Sequence, residues 1–327
     1  MTSTEAAMDR ALELAASVRL TTSPNPWVGA VVLPGGFEGA TRPPGGDHAE
    51  VVALRAAGPA ARGSTLVCTL EPCSHTGRTP PCTDAIVAAG VSRVVVAVED
   101  PDPRVAGRGL ARLRAAGVEV ETGLRAAEAR AQLAPYLKHR TTGRPWVVLK
   151  LAATLDGRTA APDGSSRWIT GEEARADAHR LRAESDAVLV GAGTVRADDP
   201  RLTARDVEAP RQPLRVVLGH APDDARAHPA LQLSGDLGGV LDELGRRGVV
   251  QVLVEGGPTV AGQFHRAGLV DRYVFYLAPA LMGGEDGRPV LAGAGAPTMD
   301  TAFRGRITAV TRLGPDVRVD LEPATEA

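Results

Sequence analysis

Aromatic residues are scarce in this 327-residue chain: three Trp, three Tyr and four Phe make up 3% of it. The cores must therefore be built from Val, Leu and Ala, and a surface of aromatics on which single-stranded nucleic acid could stack is not available. Lysine occurs only as Lys138 and Lys150, and arginine supplies the rest of the positive charge, for a net charge of −2. Without a basic block, the electrostatic footprint of a nucleic-acid binder is missing. No apolar run approaches the roughly 20 residues that span a bilayer. The first ten residues carry acids and no apolar segment, unlike a secretory signal. A cytoplasmic protein without membrane or nucleic-acid partners is expected. Cysteine is confined to Cys68, Cys73 and Cys82. An odd, clustered set in a reducing compartment favours metal binding over disulfides.

With 43% hydrophobic and 23% charged residues, the composition is that of a globular protein, and the length suggests two domains. Apolar residues at Met8, Ala11, Leu12, Ala15 and Val18 follow a helical stripe over 4–18. Strands are predicted at 28–33, 65–70, 93–98 and 118–121, and helices at 48–57, 83–89, 108–116 and about 125–138. This alternation predicts an α/β sheet between helices. Thr141-Thr142-Gly143-Arg144-Pro145 reads as a boundary, giving domains of 1–142 and 145–327. Beyond it the pattern restarts, with strands at 146–151, 187–190, 214–218, 250–254 and 271–278 and helices at 172–183, 237–246 and 258–267. Pro/Asp/Ala-rich loops are predicted at 206–213 and 219–235.

The chemistry-bearing residues of the first half are His48-Ala49-Glu50 at a helix start and Glu71-Pro72-Cys73 through Pro81-Cys82. One imidazole and two thiolates can hold zinc and leave a fourth position for water, the requirement of a catalytic rather than a structural site. Zinc lowers the pKa of its water towards about 7, and a non-ligand carboxylate must then carry the proton. Glu50, two residues from His48, is placed to do so. This is the His-x-Glu and Pro-Cys pattern of zinc deaminases acting on an amino-substituted ring. A structural zinc site, with His75 as the fourth ligand, and a zinc-stabilised binding protein remain as alternatives. Cys68 reads as a buried thiol in mid-strand.

In the second half, Glu255-Gly256-Gly257-Pro258-Thr259 follows a strand and opens a helix, whose free amides could bind phosphate; a plain turn is the competing reading. Gly191-Ala192-Gly193 lacks the third glycine of a dinucleotide fingerprint, because Arg196 stands in its place. There is no nucleophile–base signature, which suits chemistry carried by a cofactor.

The runs Glu71–Cys82, Pro24-Asn25-Pro26-Trp27-Val28-Gly29 and Asp100–Gly109 resemble the bifunctional riboflavin-biosynthesis deaminase–reductases. The resemblance continues through Lys150–Arg158, Ser166–Thr170, Gly191–Thr203 and Val254–Thr259. It implies a cytidine-deaminase-like α/β/α sandwich followed by a dihydrofolate-reductase-like α/β domain, with Zn2+ and NADPH as cofactors. It also implies a pyrimidine ribosyl phosphate as substrate and a homo-oligomeric assembly. Zinc would be held by His48, Cys73 and Cys82, with Glu50 as proton shuttle and Asn25 against the pyrimidine. NADPH would touch Ala152, Trp168, Thr194, Asp198, Gly257, Pro258 and Thr259. The reducible substrate would touch Ser166, Arg182, Leu202, Arg205 and Glu255. A solvated helix face competes for Arg182, and a core position for Trp168. The chain departs from the family pattern at Asp47 and Val52, in the short 29–48 hairpin, and between Leu218 and Val250. A paralogue whose second half is inactive or acts on another compound is the alternative.

Overall fold

The fold is taken from a computed structural model that describes residues 3–77, 79–103 and 105–324. The chain divides into two compact units, Met1–Gly143 and Arg144–Ala327.

In the first unit, helix α1 (Thr4–Ser17) is capped by Ser3, whose side chain accepts from the Ala6 N–H at 3.1 Å, the usual remedy for an orphan N-terminal amide. It is followed by the single turn α2 (Arg19–Thr22). Strands β1 (Gly29–Leu33) and β2 (Phe37–Ala40) form a hairpin. Then come α3 (Ala49–Ala57), β3 (Thr65–Leu70), α4 (Cys82–Ala89), β4 (Arg93–Val98), α5 (Arg108–Ala115), β5 (Glu119–Thr122) and α6 (Ala126–Thr142). The sheet order is β2-β1-β3-β4-β5, antiparallel around β1 and parallel from β3 to β5. Central strands β3 and β4 are buried at nearly every position, which explains their unbroken apolar runs: helices cover both faces. With few aromatics, the helices sit close to the sheet. A Cβ at Gly29 would lie 1.9 Å from the Ala11 carbonyl oxygen, so only glycine lets β1 pass under α1.

The second unit carries β6 (Trp146–Thr154), β7 (Arg158–Ala160), α7 (Glu172–Glu184), β8 (Ala187–Gly191), α8 (Ala192–Asp198), β9 (Leu214–Leu218) and β10 (Leu231–Leu233). After these come α9 (Leu237–Arg246), β11 (Gln251–Val254), α10 (Pro258–Arg266), β12 (Arg272–Ala278), β13 (Arg288–Pro289), β14 (Gly305–Leu313) and β15 (Asp316–Pro323). Eight strands form one sheet in the order β10-β9-β8-β11-β6-β12-β15-β14. It is parallel from β10 to β12 and closed by antiparallel β15 and β14. Apolar clusters lie on both faces, one around Leu149, Leu189, Val252 and Phe264 and the other around Val188, Leu253, Val274 and Tyr276. The loop expected over 219–235 is interrupted by β10, whose Leu231 and Leu233 pack against the first of these clusters. Three residues are too few to show a two-residue period, and it is parallel pairing with β9 that makes this strand.

A buried ionic cluster ties α7 to the antiparallel strands. Arg318 donates to Asp177 at 2.7 Å and to Asp320 at 2.9 and 3.0 Å, while the Tyr276 hydroxyl donates to Asp177 at 2.7 Å. Asp320 is 1% exposed, a burial that a carboxylate tolerates only with such partners.

Candidate metal centre and nucleotide site

Two helix starts converge in the first unit. His48 is the N-cap of α3 and Cys82 is the first residue of α4, so the positive ends of two helices favour thiolate there. The Cys82 and Cys73 sulfurs lie 3.2 and 3.6 Å from His48 Nδ1, and the ligand atoms of all three residues fall within 4.8 Å of one another. Thr79 Oγ1 is 3.5 Å from His48 Nε2. A proton on Nε2 shared with that hydroxyl leaves the Nδ1 lone pair for a cation, as ligand histidines generally require. The Cys82 amide also donates to Cys73 Sγ, at 3.4 Å. A hydrogen bond from Cys82, and then one with His48, bring Cys73 down to about 4, while the Cys73 contact raises His48 to about 9. Hydrogen bonding to Cys73 and burial push the Cys82 thiol up. One imidazole and two closely spaced sulfurs are a donor set suited to zinc.

Glu50 is 4% exposed and lines the same cleft, which has a volume of about 250 Å³. Burial pushes its carboxyl up against the opposing charge of His48, so it can hold a proton nearer neutrality than an ordinary glutamate. Asn25 and His75 also line the cleft, whereas Cys68 is wholly buried in β3. Arg78 and Arg104, both inside the quoted motifs, lie outside the described residues.

The cleft has a further wall whose residues were given no site role from the sequence. Asp100 and Asp102, each 5% exposed, line it with Tyr136 and Arg140 from α6. The Tyr136 hydroxyl donates to Asp100 at 3.0 Å, the Asp102 amide donates to Asp100 at 2.9 Å, and the Arg140 guanidinium lies 4.9 Å from the Tyr136 ring centre. Burial raises the Asp100 carboxyl. The sequence signal for Asp100 and Asp102 was the Asp100–Gly109 run, which carries part of the family resemblance but was given no role in the site.

In the second unit, three adjacent parallel strands, β8, β11 and β6, end at one edge of the sheet. They deliver Gly191–Thr194, Glu255–Thr259 and Ala152 there, the carboxyl-end position at which open α/β sheets take ligands. Gly257 caps α10 without a side-chain cap, and its amide donates to Thr194 Oγ1 at 3.2 Å. Two of the expected cofactor residues are therefore in contact, and Pro258 and Thr259 open a helix whose first amides suit a phosphate. Trp168 is 71% exposed, so it is not a core residue; the Arg175 guanidinium lies 4.6 Å from its ring centre. Arg167 donates to the Asp198 carbonyl at 3.1 Å, which keeps Trp168 and Asp198 in one neighbourhood.

The expected substrate residues fall into different environments. Arg182 is not on a solvated face: its side chain is 15% exposed and grips Glu255 by two hydrogen bonds of 2.8 and 2.6 Å, with a third to the Thr203 carbonyl at 3.1 Å. Burial alone would raise Glu255, but the charge and hydrogen bonds of Arg182 overcome it and hold the carboxyl at about 2. Lys150 adds to that positive charge, and burial lowers its own pKa. Arg205 is exposed and donates to Thr203 Oγ1 at 2.9 Å, while its amide donates to His179 Nδ1 at 3.2 Å. Leu202 is 1% exposed and its side chain packs in the core. Ser166 is half-buried in the segment before Arg167. Lys150 and His179, both beside Glu255, were not singled out from the sequence, where each is an isolated charge on a strand or helix.

Two protein families match the chain. The one described as RibD C-terminal domain matches residues 145–319, and the cytidine and deoxycytidylate deaminase zinc-binding region matches residues 1–98. The chain is 47% identical to the riboflavin biosynthesis protein RibD of Mycobacterium tuberculosis, over 98% of this chain and 97% of that one. It is 41% identical to the protein of that name from Escherichia coli K12, over 96% and 98% of the two chains. Among solved structures, Acinetobacter baumannii RibD superposes with a TM-score of 0.93 at 39% identity, covering 98% and 99% of the chains. A Thermotoga maritima protein called a diaminohydroxyphosphoribosylaminopyrimidine deaminase/5-amino-6-(5-phosphoribosylamino)uracil reductase superposes with a TM-score of 0.87 at 34% identity, with the same coverage.

Proposed function

This chain belongs to the RibD family of bifunctional riboflavin-biosynthesis deaminase–reductases, and from that membership we propose the reaction of each half. The N-terminal part, about residues 1–142, hydrolyses the 2-amino group of 2,5-diamino-6-ribosylamino-4(3H)-pyrimidinone 5′-phosphate. The C-terminal part, about residues 145–327, reduces the ribosyl chain of the product with NADPH to give 5-amino-6-ribitylamino-uracil 5′-phosphate. The reading rests above all on one observation: ligand atoms of His48, Cys73 and Cys82 come within 4.8 Å of one another, and His48 and Cys73 line a cleft with Glu50.

Zinc held by His48 Nδ1 and the two thiolates would supply a water acidified towards neutral pH beside the ring carbon. Asn25 orients the pyrimidine, and burial keeps Glu50 able to take a proton at its carboxylate and return it to the departing amine. In the second half NADPH supplies the hydride. The amides at the start of α10 and the Thr194 hydroxyl would hold the cofactor's phosphates, with Trp168 and Asp198 beside it. Glu255, held ionised by Arg182, accepts hydrogen bonds from ribose hydroxyls, and Arg205, free to reach solvent, pairs with the phosphate. Cytoplasmic location and homo-oligomeric assembly belong to the same reading. The outermost strand β14, with Ile307 59% and Val310 64% exposed, supports the assembly.

The test supplies zinc-loaded protein with the diamino substrate and follows ammonia release and NADPH absorbance together. Both signals, with ammonia persisting when NADPH is omitted, are expected. Ammonia alone would overturn the reductase assignment, and neither signal with zinc bound would overturn the deaminase assignment, reduction being then read on the deaminated compound.

A further inference from the structure

The Glu71 carboxylate sits two residues before Cys73 in the lining of the same cleft, and its hydrogen bonds run to the segment from Asp100 to Leu110. It is 4% exposed and is approached by four backbone amides. Oε2 accepts from Asp100 at 3.2 Å and Gly107 at 3.0 Å; Oε1 accepts from Gly109 at 2.9 Å and Leu110 at 3.3 Å. One side chain thus holds both ends of the arc from Asp100 to Leu110, the segment that carries Asp102 and Val105 into the cleft. The joint is tight on its other side as well. A Cβ at Gly109 would lie 2.1 Å from the Pro72 carbonyl oxygen, so the arc packs directly on the backbone leading into Cys73.

We propose that Glu71 is a positioning residue for deamination: it sets the distance and angle between the Cys73 side of the cleft and the Asp100–Asp102 wall that confines the ring. A buried carboxylate is costly unless fully hydrogen-bonded, and a neutral amide could cap α5 alone. Joining two segments 29 to 39 residues away in sequence needs both oxygens as acceptors, which an ionised carboxylate provides and an amide does not. The proposal rests on the deaminase reading of this cleft. Its expected signature is weakened binding of the ring with the metal set left whole.

The experiment compares wild type with Glu71→Gln and Gly109→Ala, each zinc-loaded, on the diamino substrate. Glu71→Gln removes one acceptor site from the joint, and Gly109→Ala pushes the arc off Pro72 with the carboxylate intact. Both are expected to raise the KM for ammonia release about tenfold, with kcat within about threefold and one zinc per chain retained. Hydrogen exchange at the Gly107, Gly109 and Leu110 amides should quicken in Glu71→Gln, and NADPH oxidation on the deaminated intermediate should stay at the wild-type rate. An unchanged KM with a lowered melting temperature would reduce Glu71 to a structural cap and overturn the proposal. So would loss of zinc, or failure of both variants to fold. If wild type itself releases no ammonia, the deaminase reading falls first, a result distinct from any of these.

Discussion

The two halves build their sites from different materials. The first gathers reactive side chains at the starts of α3 and α4, where an imidazole and two cysteine sulfurs lie within 4.8 Å of one another beside a cleft lined by a carboxyl group. The second arranges backbone at the ends of β8, β11 and β6 and keeps its charged groups paired, with Arg182 closed on Glu255. A site that makes its own nucleophile must spend rare residue types at fixed spacing. A site that borrows a cofactor needs mainly shape and amides. The first therefore leaves a motif, and the second leaves glycines at strand ends that any turn could explain.

That contrast can be broken at single residues. Cys82→Ala should have the largest effect. It removes one of three ligands, so zinc and ammonia release should be lost together, while NADPH oxidation on the deaminated intermediate continues. Metal analysis beside both assays checks this, and retained zinc with full deamination would remove Cys82 from the ligand set.

Next in size is the Arg182–Glu255 pair. Glu255 is held at about 2 in the fold against about 4.3 in an unfolded chain. A depressed carboxylate contributes stability that is fully present above the unfolded value and is lost as pH falls through the folded one. Unfolding free energy should therefore drop by on the order of 3 kcal/mol between pH 5 and pH 2 through this group. Glu255→Gln should lose that slope and, by leaving Arg182 buried without its partner, cost roughly 3–5 kcal/mol near neutrality. Denaturant unfolding across that pH range decides it; an unchanged slope in the variant would place the titration elsewhere.

The smallest effect should come from Trp168→Ala. A side chain that is 71% exposed carries little of the core, so the melting temperature should hold within the equivalent of about 0.5 kcal/mol. The KM for NADPH should still rise several-fold. A lowered melting temperature with an unchanged KM would return Trp168 to a structural role.

How much could be read in advance follows from the same division of labour. His48, Cys73, Cys82 and Glu50 were legible because their chemistry needs those residue types in that order, and the structure brings them together. The parallel strands β3, β4, β6, β8 and β11 were legible as apolar runs between turns. The hairpin β14–β15 was not: every position of β14 from Gly305 to Arg312 is exposed, and the buried positions of β15 are the carboxylates Asp316 and Asp320, so its Val317, Val319 and Leu321 alternation was passed over. β10 was too short for its pattern to show. Arg182 and Glu255 were singled out as ligand contacts, but their grip on each other spans 73 residues and leaves no local trace. Glu71 was quoted only as part of a motif, since its partners are backbone amides, which every residue but proline offers.

The account's central claim is that this chain carries two separable chemistries, and Glu50→Gln tests it most directly. The variant would be assayed with the diamino substrate for ammonia and, separately, with the deaminated ribosylamino-uracil phosphate for NADPH oxidation. Loss of the ammonia signal by a factor of about 10²–10⁴, with zinc retained and NADPH oxidation unchanged, is the predicted result. Ammonia release at the wild-type rate, or reduction lost along with it, would contradict the claim.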